Sequence, residues 1–244
     1  MSQTAPQKLP AMACRVHEKL GLLKTSFAFD INLGCSAYPY GLWIAGSLMK
    51  SGPRRILLLA GDTISQIVNP SDRGTSLLFG DAGTATALEK VGNDIWPFLL
   101  GTDGKGADSL QTRNNDSIDI LEMDGPKVFE FTLTEVPRLI KLLDKINRSS
   151  NDFYLLHQAN RFMLQNIRRK CKLSKESFLI NIEDYGNTSC ASIPLLITSK
   201  LKSILGKDKK QLALIGFGVG FSWAGVSLPI GPISVLKVIS TYDE

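Results

Sequence analysis

Short apolar runs alternate along the chain with longer segments in which apolar residues recur every three or four positions. The short runs predict buried strands and the longer segments predict helices with one apolar face, because these are the spacings at which side chains share a face. Strands and helices in alternation are typical of an α/β fold, in which helices cover the faces of a sheet.

Two stretches of the chain share the same order of predicted elements. The first consists of a strand, a glycine turn, a helix and two further strands, at residues 27–31, Gly34, 35–50, 56–60 and 84–88. The second repeats this order at residues 178–182, Gly186, 188–205, 212–215 and 222–228. We interpret the two as an internal duplication whose halves stack as equivalent units. The predicted domains are residues 1–120 and residues 121–244.

The duplication also predicts that the first half lacks a segment. Two strands and two helices lie upstream of the second unit, at residues 95–100, 136–146, 153–156 and 160–172. Only the last of these has a counterpart before the first unit, which is a helix at residues 9–22. The strand before that helix has no counterpart, because residues 1–8 are polar and contain Pro6. By this comparison about 60 residues, forming a strand, a helix and a strand, are missing from the first half.

Composition narrows the class of protein. The 244 residues are 43% apolar, enough for a substantial core in one or two domains. The net charge is +5, and Lys and Arg gather at residues 168–175 and 200–210. These clusters are either solvated helix faces or a surface that attracts an acidic partner. Because the basic clusters contain no interleaved aromatic residues and no nucleic-acid motif, we expect no nucleic-acid partner.

Cysteine usage and the chain start indicate a compartment. The four cysteines have neither paired nor metal-ligand spacing, which predicts free thiols in a reducing compartment and no metal site. The first ten residues lack the basic and apolar regions of a signal peptide, and no apolar run reaches membrane-spanning length. We therefore expect a cytoplasmic protein without membrane association.

Cys35 is the candidate nucleophile. It stands at the first turn of the apolar helix predicted at residues 35–50, where a small buried hydrophobe is the alternative interpretation. A cysteine attacks only as thiolate, and a helix N-terminus beside an imidazole is expected to lower its pKa. Three other cysteines lie within helical patterns and are predicted to be structural, namely Cys14, Cys171 and Cys190.

His157 follows the fully apolar strand predicted at residues 153–156, and it is interpreted as either structural or catalytic. The catalytic interpretation has support because sites in α/β proteins lie at the carboxyl ends of strands. His17, the other histidine of the chain, lies among charges on a helix and is predicted to be a surface residue.

Asn187 lies in the turn that opens the second unit's helix. Thr188 is predicted to cap this helix. The duplication places Asn187 close to the position equivalent to Cys35, so the two junctions are expected to converge on one cleft. There, His157 and Asn187 could donate two hydrogen bonds to an oxygen that acquires negative charge. With Cys35, this trio indicates acyl-thioester chemistry.

A glycine-rich turn at residues 216–223 joins the last two predicted strands. Its GxGxG spacing and the strand that follows distinguish it from a dinucleotide-binding loop, which opens a helix. A hairpin whose backbone N–H groups face a site would instead stabilise an oxyanion.

Taken together, the motifs resemble those of the β-ketoacyl-acyl-carrier-protein synthase III family of the thiolase superfamily, over residues 10–228. The residues that carry the resemblance are Phe29-Asp30, Gly34-Cys35-Ser36, Ser71-Asp72-Arg73-Gly74-Thr75, Phe79-Gly80-Asp81-Ala82-Gly83, Met123-Asp124-Gly125, Val128-Phe129, His157-Gln158-Ala159-Asn160, Gly186-Asn187-Thr188-Ser189 and 217–223. An asparagine in the third catalytic position separates this family from hydroxymethylglutaryl-CoA synthases, which have glutamate, and from thiolases, which have a second cysteine.

The resemblance implies a five-layered α-β-α-β-α fold, a homodimer, and coenzyme A thioesters and acyl carrier protein as partners, without a cofactor. Cys35 would hold an acyl group covalently. His157 and Asn187 would bind the thioester carbonyl of a malonyl carrier, whose decarboxylation yields the carbanion that attacks the acyl-cysteine. The backbone N–H groups of Cys35 and Val219 would form the oxyanion hole.

The resemblance also assigns peripheral roles. Phe217 and Gly218 would line the site, and Arg161 and Arg168 would dock the carrier. The chain departs from the family pattern by lacking the N-terminal strand–helix–strand. Phe162 stands where many members have an arginine, and Val219 replaces a frequent glycine, which a negative φ permits.

Two other functions stay open. An acyl-cysteine enzyme could transfer its acyl group to an amine or hydroxyl, in which case no CO₂ is released. Alternatively, the chain is an inactive fragment or a non-catalytic partner subunit, in which case Cys35 takes no acyl label.

Overall fold

The structure is a computed structural model that describes residues 1–92, 96–115, 118–147 and 149–241. The α-helices are α1 Met12–Lys19, α2 Ala37–Ser51, α3 Gly125–Ile146, α4 Arg161–Lys170, α5 Ile182–Tyr185, α6 Ser192–Lys200 and α7 Lys202–Leu205. The strands are β1 Arg55–Asp62, β2 Ala82–Glu89, β3 Phe98–Thr102, β4 Leu110–Asn115, β5 Ile118–Met123, β6 Phe153–Leu156, β7 Lys210–Gly218 and β8 Ser222–Ile230. Short 3₁₀ helices span Ile64–Gln66, Gly104–Ser109 and Ser189–Ala191.

A four-stranded sheet in the order β3-β8-β7-β6 forms the centre of the C-terminal half. The β6–β7 pair is parallel and the others are antiparallel. Successive β7 side chains enter two different cores, because side chains alternate between the faces of a strand. Ile215 and Phe217 pack with α3 and α4, whereas Leu212 and Leu214 pack with α6. Helices therefore cover both faces of this sheet.

The second sheet, β1-β2, is closely packed on one face only. Leu58 and Ala60 of β1 are buried in the cores that also contain residues of α2 and α6. Leu57, on the opposite face, is 45% exposed. It lines a cavity of about 1410 Å³ that α1 also lines. The layers follow the predicted order α-β-α-β-α, with α1 as a loosely packed fifth layer.

The predicted strand at residues 27–31 is wrong. These residues lie within the described range 1–92 and form no strand there. Phe27 and Phe29 are 59% and 49% exposed and line the cavity. An apolar segment becomes a strand only when a neighbouring backbone pairs with it, and here the pairing is limited to one hydrogen bond from Ser2 N to Ile31 O (3.3 Å).

The first residues of the chain occupy the position beside β1 that β6 has beside β7. The Met1 ammonium donates to Leu59 O (2.7 Å), and Gly61 N donates to Met1 O (3.2 Å). Asp62 Oδ1 accepts from Gln3 N (2.7 Å), which holds the next residues in place. This equivalence confirms that the two halves are pseudo-symmetric, with a single paired residue where the second half has a full strand.

The predicted strand at residues 178–182 is also wrong for most of its length. Phe178 forms a single parallel bridge with Tyr154, and α5 begins at Ile182. The segment leaves β6 because Asn181 N donates instead to the side-chain oxygen of Gln158 (3.1 Å). A hydrogen bond to a side chain thus replaces the strand ladder.

The remaining predicted elements are present. However, α3 begins at Gly125, well before the helix predicted at 136–146, and the helix predicted at 188–205 is divided into a 3₁₀ helix, α6 and α7. The strand predicted at 95–100 is observed as β3, and its first residue, Ile95, lies outside the described residues. Because β3 pairs with β8, a strand from residues 1–120 joins the sheet of the second half. The division of the chain at residue 120 stays a prediction. Among the described residues, no helix is long and apolar enough to cross a bilayer.

Candidate active site

The carboxyl end of β7 brings two of the predicted catalytic residues together. Phe217 packs edge-on against the His157 ring, with centroids 5.5 Å apart and an interplanar angle of 80°. The next residue, Gly218, lies against Cys35, since a Cβ built there would stand 2.6 Å from Cys35 Cβ and 3.0 Å from Sγ. A glycine is therefore required at 218. Phe217 contacts His157 and Gly218 contacts Cys35, and their role in lining an active site stays a prediction.

His157 is held at the end of β6 as a neutral imidazole. The backbone N–H of His157 donates to Ile215 O (2.8 Å), which continues the pairing with β7. The residue is 1% exposed. Burial lowers the pKa of His157 to about 3, and the nearby Ser189 carbonyl only partly opposes this shift. Nδ1 lies 2.8 Å from Ser192 Oγ.

The backbone of Asn187 is clamped by the loop that contains the Phe79-Gly80-Asp81 motif. Asn187 N donates to Leu78 O (2.9 Å), and Gly80 N donates to Asn187 O (3.1 Å). Gly80 permits this approach because a Cβ there would lie 2.1 Å from Tyr185 O. The motif identified in the sequence therefore positions the asparagine.

The side chain of Asn187 is oriented by two hydrogen bonds. Oδ1 accepts from Ser189 N (3.0 Å), and Nδ2 donates to Ala159 O (3.3 Å). The second hydrogen of Nδ2 is then the one that a substrate oxygen can use. The predicted capping role of Thr188 is wrong, since its buried Oγ1 has no partner within the described part of the chain. Asn187, one residue earlier, takes that role.

Ser189 was not predicted, yet it connects all three residues. Its N–H binds Asn187, its hydroxyl hydrogen-bonds the Cys35 thiol, and its carbonyl acts on His157. It does so with φ at 49°, a left-handed conformation that is uncommon outside glycine and often marks functional sites. The motif contains this serine, but nothing in the sequence marks its backbone conformation.

Cys35 lies just before α2, with Ser36 as the N-cap residue. The expectation of a lowered pKa is wrong, because burial raises the pKa of the thiol to about 11. The Val219 N–H and the Ser189 hydroxyl favour the thiolate, while Asp62 disfavours it. His157 is neutral and supplies no positive charge, so desolvation outweighs the helix N-terminus.

The turn after β7 directs the Val219 N–H at the thiol. Val219 stays outside the positive-φ region, as do all described non-glycine residues except Lys172 and Ser189. The Ser222 hydroxyl donates to Val219 O (2.7 Å) and lies 2.7 Å from Ser36 Oγ. These two contacts tie the turn to the start of α2. The N–H groups of Cys35 and Val219 both act on the Cys35 sulfur.

Two family profiles match the chain. The profile described as 3-oxoacyl-[acyl-carrier-protein (ACP)] synthase III matches residues 29–104, and that of its C terminal matches residues 144–230. The β-ketoacyl-[acyl-carrier-protein] synthase III of Clostridium tetani is 33% identical over 242 residues, covering 88% of this chain and 71% of that protein. The chain belongs to the 3-oxoacyl-[acyl-carrier-protein] synthase III family. It is thus an acyltransferase of fatty acid biosynthesis.

Other relatives agree with this assignment. The synthase III of Acholeplasma laidlawii is 36% identical and is matched over 74% of its length. The crystal structure of a 3-oxoacyl-(acyl-carrier protein) synthase from Burkholderia xenovorans superposes with a TM-score of 0.94 at 45% identity, covering 98% of this chain and 74% of that one. The synthase III structure from Pseudomonas aeruginosa gives 0.87 at 31% identity, with 98% and 76% coverage. The fold is therefore thiolase-like.

Several motif residues of this synthase III chain hold elements in place. Asp30 accepts from Met12 N (2.6 Å) and Ala13 N (2.8 Å) at the start of α1. Asn160 caps α4 through a hydrogen bond from Met163 N (2.7 Å). These polar side chains satisfy backbone groups that helix ends leave unpaired.

The two arginines predicted to dock the carrier lie on α4, and both have partners. Arg161 forms an ion pair with Glu183 (3.1 Å) and is largely exposed. Arg168 donates to Leu173 O (3.0 Å), which closes the turn after the helix. Phe162, where many family members have an arginine, is 63% exposed and stacks on Phe129 at 5.5 Å. Carrier docking by the arginines stays a prediction.

The raised pKa of Cys35 predicts the pH dependence of its alkylation. An acid whose pKa is raised from 9.0 to about 11 forms its reactive thiolate only as the pH approaches 11. The rate of iodoacetamide modification of the Cys35 peptide, followed by mass spectrometry in the free protein, should keep rising between pH 9 and 11. A plateau reached below pH 9 would contradict the dominance of burial.

Proposed function

We propose that the protein condenses an acyl-CoA with malonyl-acyl carrier protein, with loss of CO₂, through an acyl-cysteine intermediate. The observation that supports this most directly is that Ser189 contacts Cys35, His157 and Asn187, so a nucleophile and two hydrogen-bonding groups share one site. The names of the relatives supply the reaction class and the acyl carrier.

In the first half-reaction Cys35 takes the acyl group. Because the resting thiol has a pKa of about 11, its proton must leave to solvent as the sulfur attacks the thioester carbonyl. The carbonyl oxygen then carries negative charge that the N–H groups of Cys35 and Val219 bind. Collapse of this intermediate breaks the bond to the coenzyme A sulfur, which departs and is protonated by solvent.

In the second half-reaction His157 and Asn187 bind the thioester oxygen of the malonyl group. The bond to the carboxylate breaks, CO₂ leaves, and the electron pair moves into an enolate whose oxygen these two residues stabilise. The enolate carbon attacks the acyl-cysteine, and Cys35 departs as thiolate and regains a proton. The product is a β-ketoacyl carrier protein.

Carbon dioxide release distinguishes this function from the alternatives. With a malonyl carrier labelled at the free carboxylate, we expect one labelled CO₂ for each β-ketoacyl product. Acyl transfer to an added amine or hydroxyl without CO₂ would support the second enzyme function. Failure of Cys35 to take label from any acyl-CoA in a folded protein would support an inactive partner subunit.

We also propose that the protein is a homodimer, as the family resemblance implies. Exposed apolar side chains such as Leu77 (84%) and Trp43 (43%) are groups that a second copy could cover. Sedimentation equilibrium should give twice the chain mass of 26.7 kDa; the single chain mass at micromolar concentration would contradict the proposal.

Removing the Val219 N–H should slow condensation. Val219→Pro lacks this donor, and loss of one oxyanion donor costs about 10²–10³-fold in kcat. Val219→Gly is the matched control, because it removes the side chain but retains the N–H. Thermal unfolding should show that both variants fold. Equal kcat values for the two variants would exclude this N–H from the oxyanion hole.

Carrier docking predicts an effect on one substrate only. Arg161→Ala should raise the KM for the malonyl carrier several-fold while leaving acylation of Cys35 by acyl-CoA unchanged, because charge steers the acidic carrier. Arg138→Ala is the matched control, since Arg138 also lies on an exposed helix face in an ion pair with a glutamate, Glu135. If both variants responded identically, Arg161 would not be part of the docking surface.

A further inference from the structure

The Ser36 hydroxyl binds a distant residue although Ser36 stands at the start of a helix. Ser36 is the N-cap residue of α2, where a serine side chain commonly accepts from an N–H group of the first turn. It does not cap α2 in this way, since none of the N–H groups in the described first turn binds its side chain. Its Oγ lies instead 2.7 Å from Oγ of Ser222, the first residue of β8. Both serines are buried, at 0% and 3% exposure.

The direction of both hydroxyl protons follows from the groups that they bind. Ser222 Oγ lies 2.7 Å from Val219 O, and a carbonyl oxygen only accepts. The single proton of the Ser222 hydroxyl is therefore given to Val219, and the Ser36 hydroxyl donates to a lone pair of Ser222 Oγ. Because an unpaired hydroxyl costs free energy in a buried position, both hydrogen bonds are retained. The serine pair thus connects the N-terminus of α2 to the peptide group that follows Val219.

The turn that contains Val219 has little restriction of its own. Gly218 and Gly220, on either side of Val219, have φ values of 156° and 133°, a region that residues with a side chain rarely adopt. Glycines permit this shape, but they also restrict the backbone least of all residues. The direction of the Val219 N–H therefore needs a restraint from outside the turn, and the hydrogen bond from Ser222 to Val219 O supplies one.

The residues before α2 lie directly against this turn. A Cβ built at Gly34 would stand 3.1 Å from Val219 Cγ1. A Cβ built at Gly216 would stand 2.8 Å from Ser36 Cα, so β7 also touches this segment. Burial raises the pKa of Cys35, and the Val219 N–H, which is hydrogen-bonded to the sulfur, is the largest influence that opposes the rise. The group that the serine pair restrains is therefore the one that acts on the thiol.

We propose that Ser36 and Ser222 are positioning residues, which hold the Val219 N–H on the Cys35 sulfur in the free protein and on the acyl oxyanion during thioester attack. The second part rests on the proposed function. No proton moves along the serine pair, because both hydroxyls act only on the direction of the Val219 peptide. One restraint serves both states, since the same N–H binds charge on sulfur at rest and charge on oxygen in the reaction.

Alkylation of Cys35 tests the first part without a substrate. In Ser222→Ala the Val219 peptide is free to turn, so the thiolate loses part of its stabilisation and the pKa of Cys35 rises. In the full chain between pH 8 and 10, iodoacetamide should modify the Cys35 peptide roughly 3- to 10-fold more slowly than in the unaltered protein. A loss of packing alone would act in the opposite direction, because an exposed sulfur is less desolvated and is alkylated faster.

Further variants separate the serine pair from general effects of substitution. Ser222→Thr retains the hydroxyl and should restore the rate of the unaltered protein. Ser36→Ala should slow alkylation less than Ser222→Ala and should add nothing in that background, because both act through one peptide group. Ser227→Ala is the matched control and should change nothing, since Ser227 is another buried serine of β8 whose hydroxyl accepts from Gln211 Nε2 (2.9 Å). Thermal unfolding shows which variants fold, and Ser36→Ala decides the comparison if Ser222→Ala does not.

Acylation by acyl-CoA tests the second part. In single-turnover labelling, Ser222→Ala should lower the maximal rate by roughly 5- to 50-fold, less than the loss of about 10²–10³-fold expected when an oxyanion donor is removed outright. The acyl-CoA concentration that gives half of the maximal rate should stay unchanged, because the N–H binds charge that develops only as Cys35 attacks.

The two measurements fail in different ways. Alkylation of Ser222→Ala at an equal or higher rate than the unaltered protein would overturn the assignment, as would an equal loss in Ser227→Ala. Slower alkylation with unchanged acylation would overturn the role in thioester attack. If alkylation slows as expected while the unaltered protein takes no acyl label, the proposed function fails and the positioning of the Val219 N–H on the Cys35 sulfur stands.

Discussion

Cys35→Ala is expected to abolish acylation of the protein by acyl-CoA and to lower condensation by about 10⁴-fold or more, because an alanine cannot form the acyl thioester. Intact-protein mass spectrometry after incubation with acyl-CoA measures the first effect, and formation of the β-ketoacyl carrier measures the second. The loss should be complete for labelling, since Cys35 is the proposed attachment point.

Cys171→Ala is the matched control for this prediction. Burial also raises the pKa of Cys171 to about 11, but this thiol lies at the end of α4 and packs against the core that α3 and α4 form. The control variant should therefore take one acyl group as the unaltered protein does. An acyl group found on Cys35→Ala would show that another residue is the nucleophile.

His157→Ala is expected to separate the two half-reactions. Decarboxylation of the malonyl carrier should fall by about 10²–10³-fold or more, because the enolate oxygen loses a donor in a buried site. Labelling of Cys35 should persist, and it should become faster as pH approaches the thiol pKa of about 11, because solvent can then remove the proton more readily. Labelled CO₂ release and acyl incorporation are measured on the same sample.

His17→Ala is the control for His157→Ala, since His17 lies on α1 and contacts Leu23 O through Nε2. It should leave both half-reactions unchanged. Because the substitution opens a cavity beside Phe217, which lowers the free energy of unfolding, a thermal unfolding measurement should accompany His157→Ala and show that it still folds. Complete loss of labelling at every pH would assign His157 to thiol activation alone, whereas unchanged decarboxylation would exclude it from the enolate site.

The resting site is neutral, and this changes how the nucleophile works. A thiol with a pKa of about 11 beside an imidazole with a pKa of about 3 forms no stable ion pair near neutral pH. In the proposed function, reactivity therefore appears only when a thioester is bound and its oxygen reaches the N–H groups at Cys35 and Val219. Such a site protects the thiol from alkylation and oxidation between turnovers.

The local pattern of the sequence predicted the elements that carry the site. The apolar run 153–156 is observed as β6 with the same bounds, and the predicted glycine-rich turn joins β7 and β8. These predictions succeed because buried strands and tight turns depend on neighbouring residues along the chain. The motif order likewise predicted the family.

Elements that depend on distant partners were predicted less well. Residues 27–31 have the composition of a strand, but pairing decides whether an apolar segment becomes one, and only residues far along the chain supply the pairing partner. The same holds at residues 178–182, where the Gln158 side chain replaces the ladder.

By itself, the sequence determined that Cys35 precedes a helix, that His157 follows a buried strand and that Asn187 lies in a glycine turn, because spacing and motif order are local properties. Only the tertiary structure decided the sign of the Cys35 pKa shift, since burial depends on every layer packed around the sulfur. It also decided the part that Ser189 takes, because a left-handed φ arises from the folded chain.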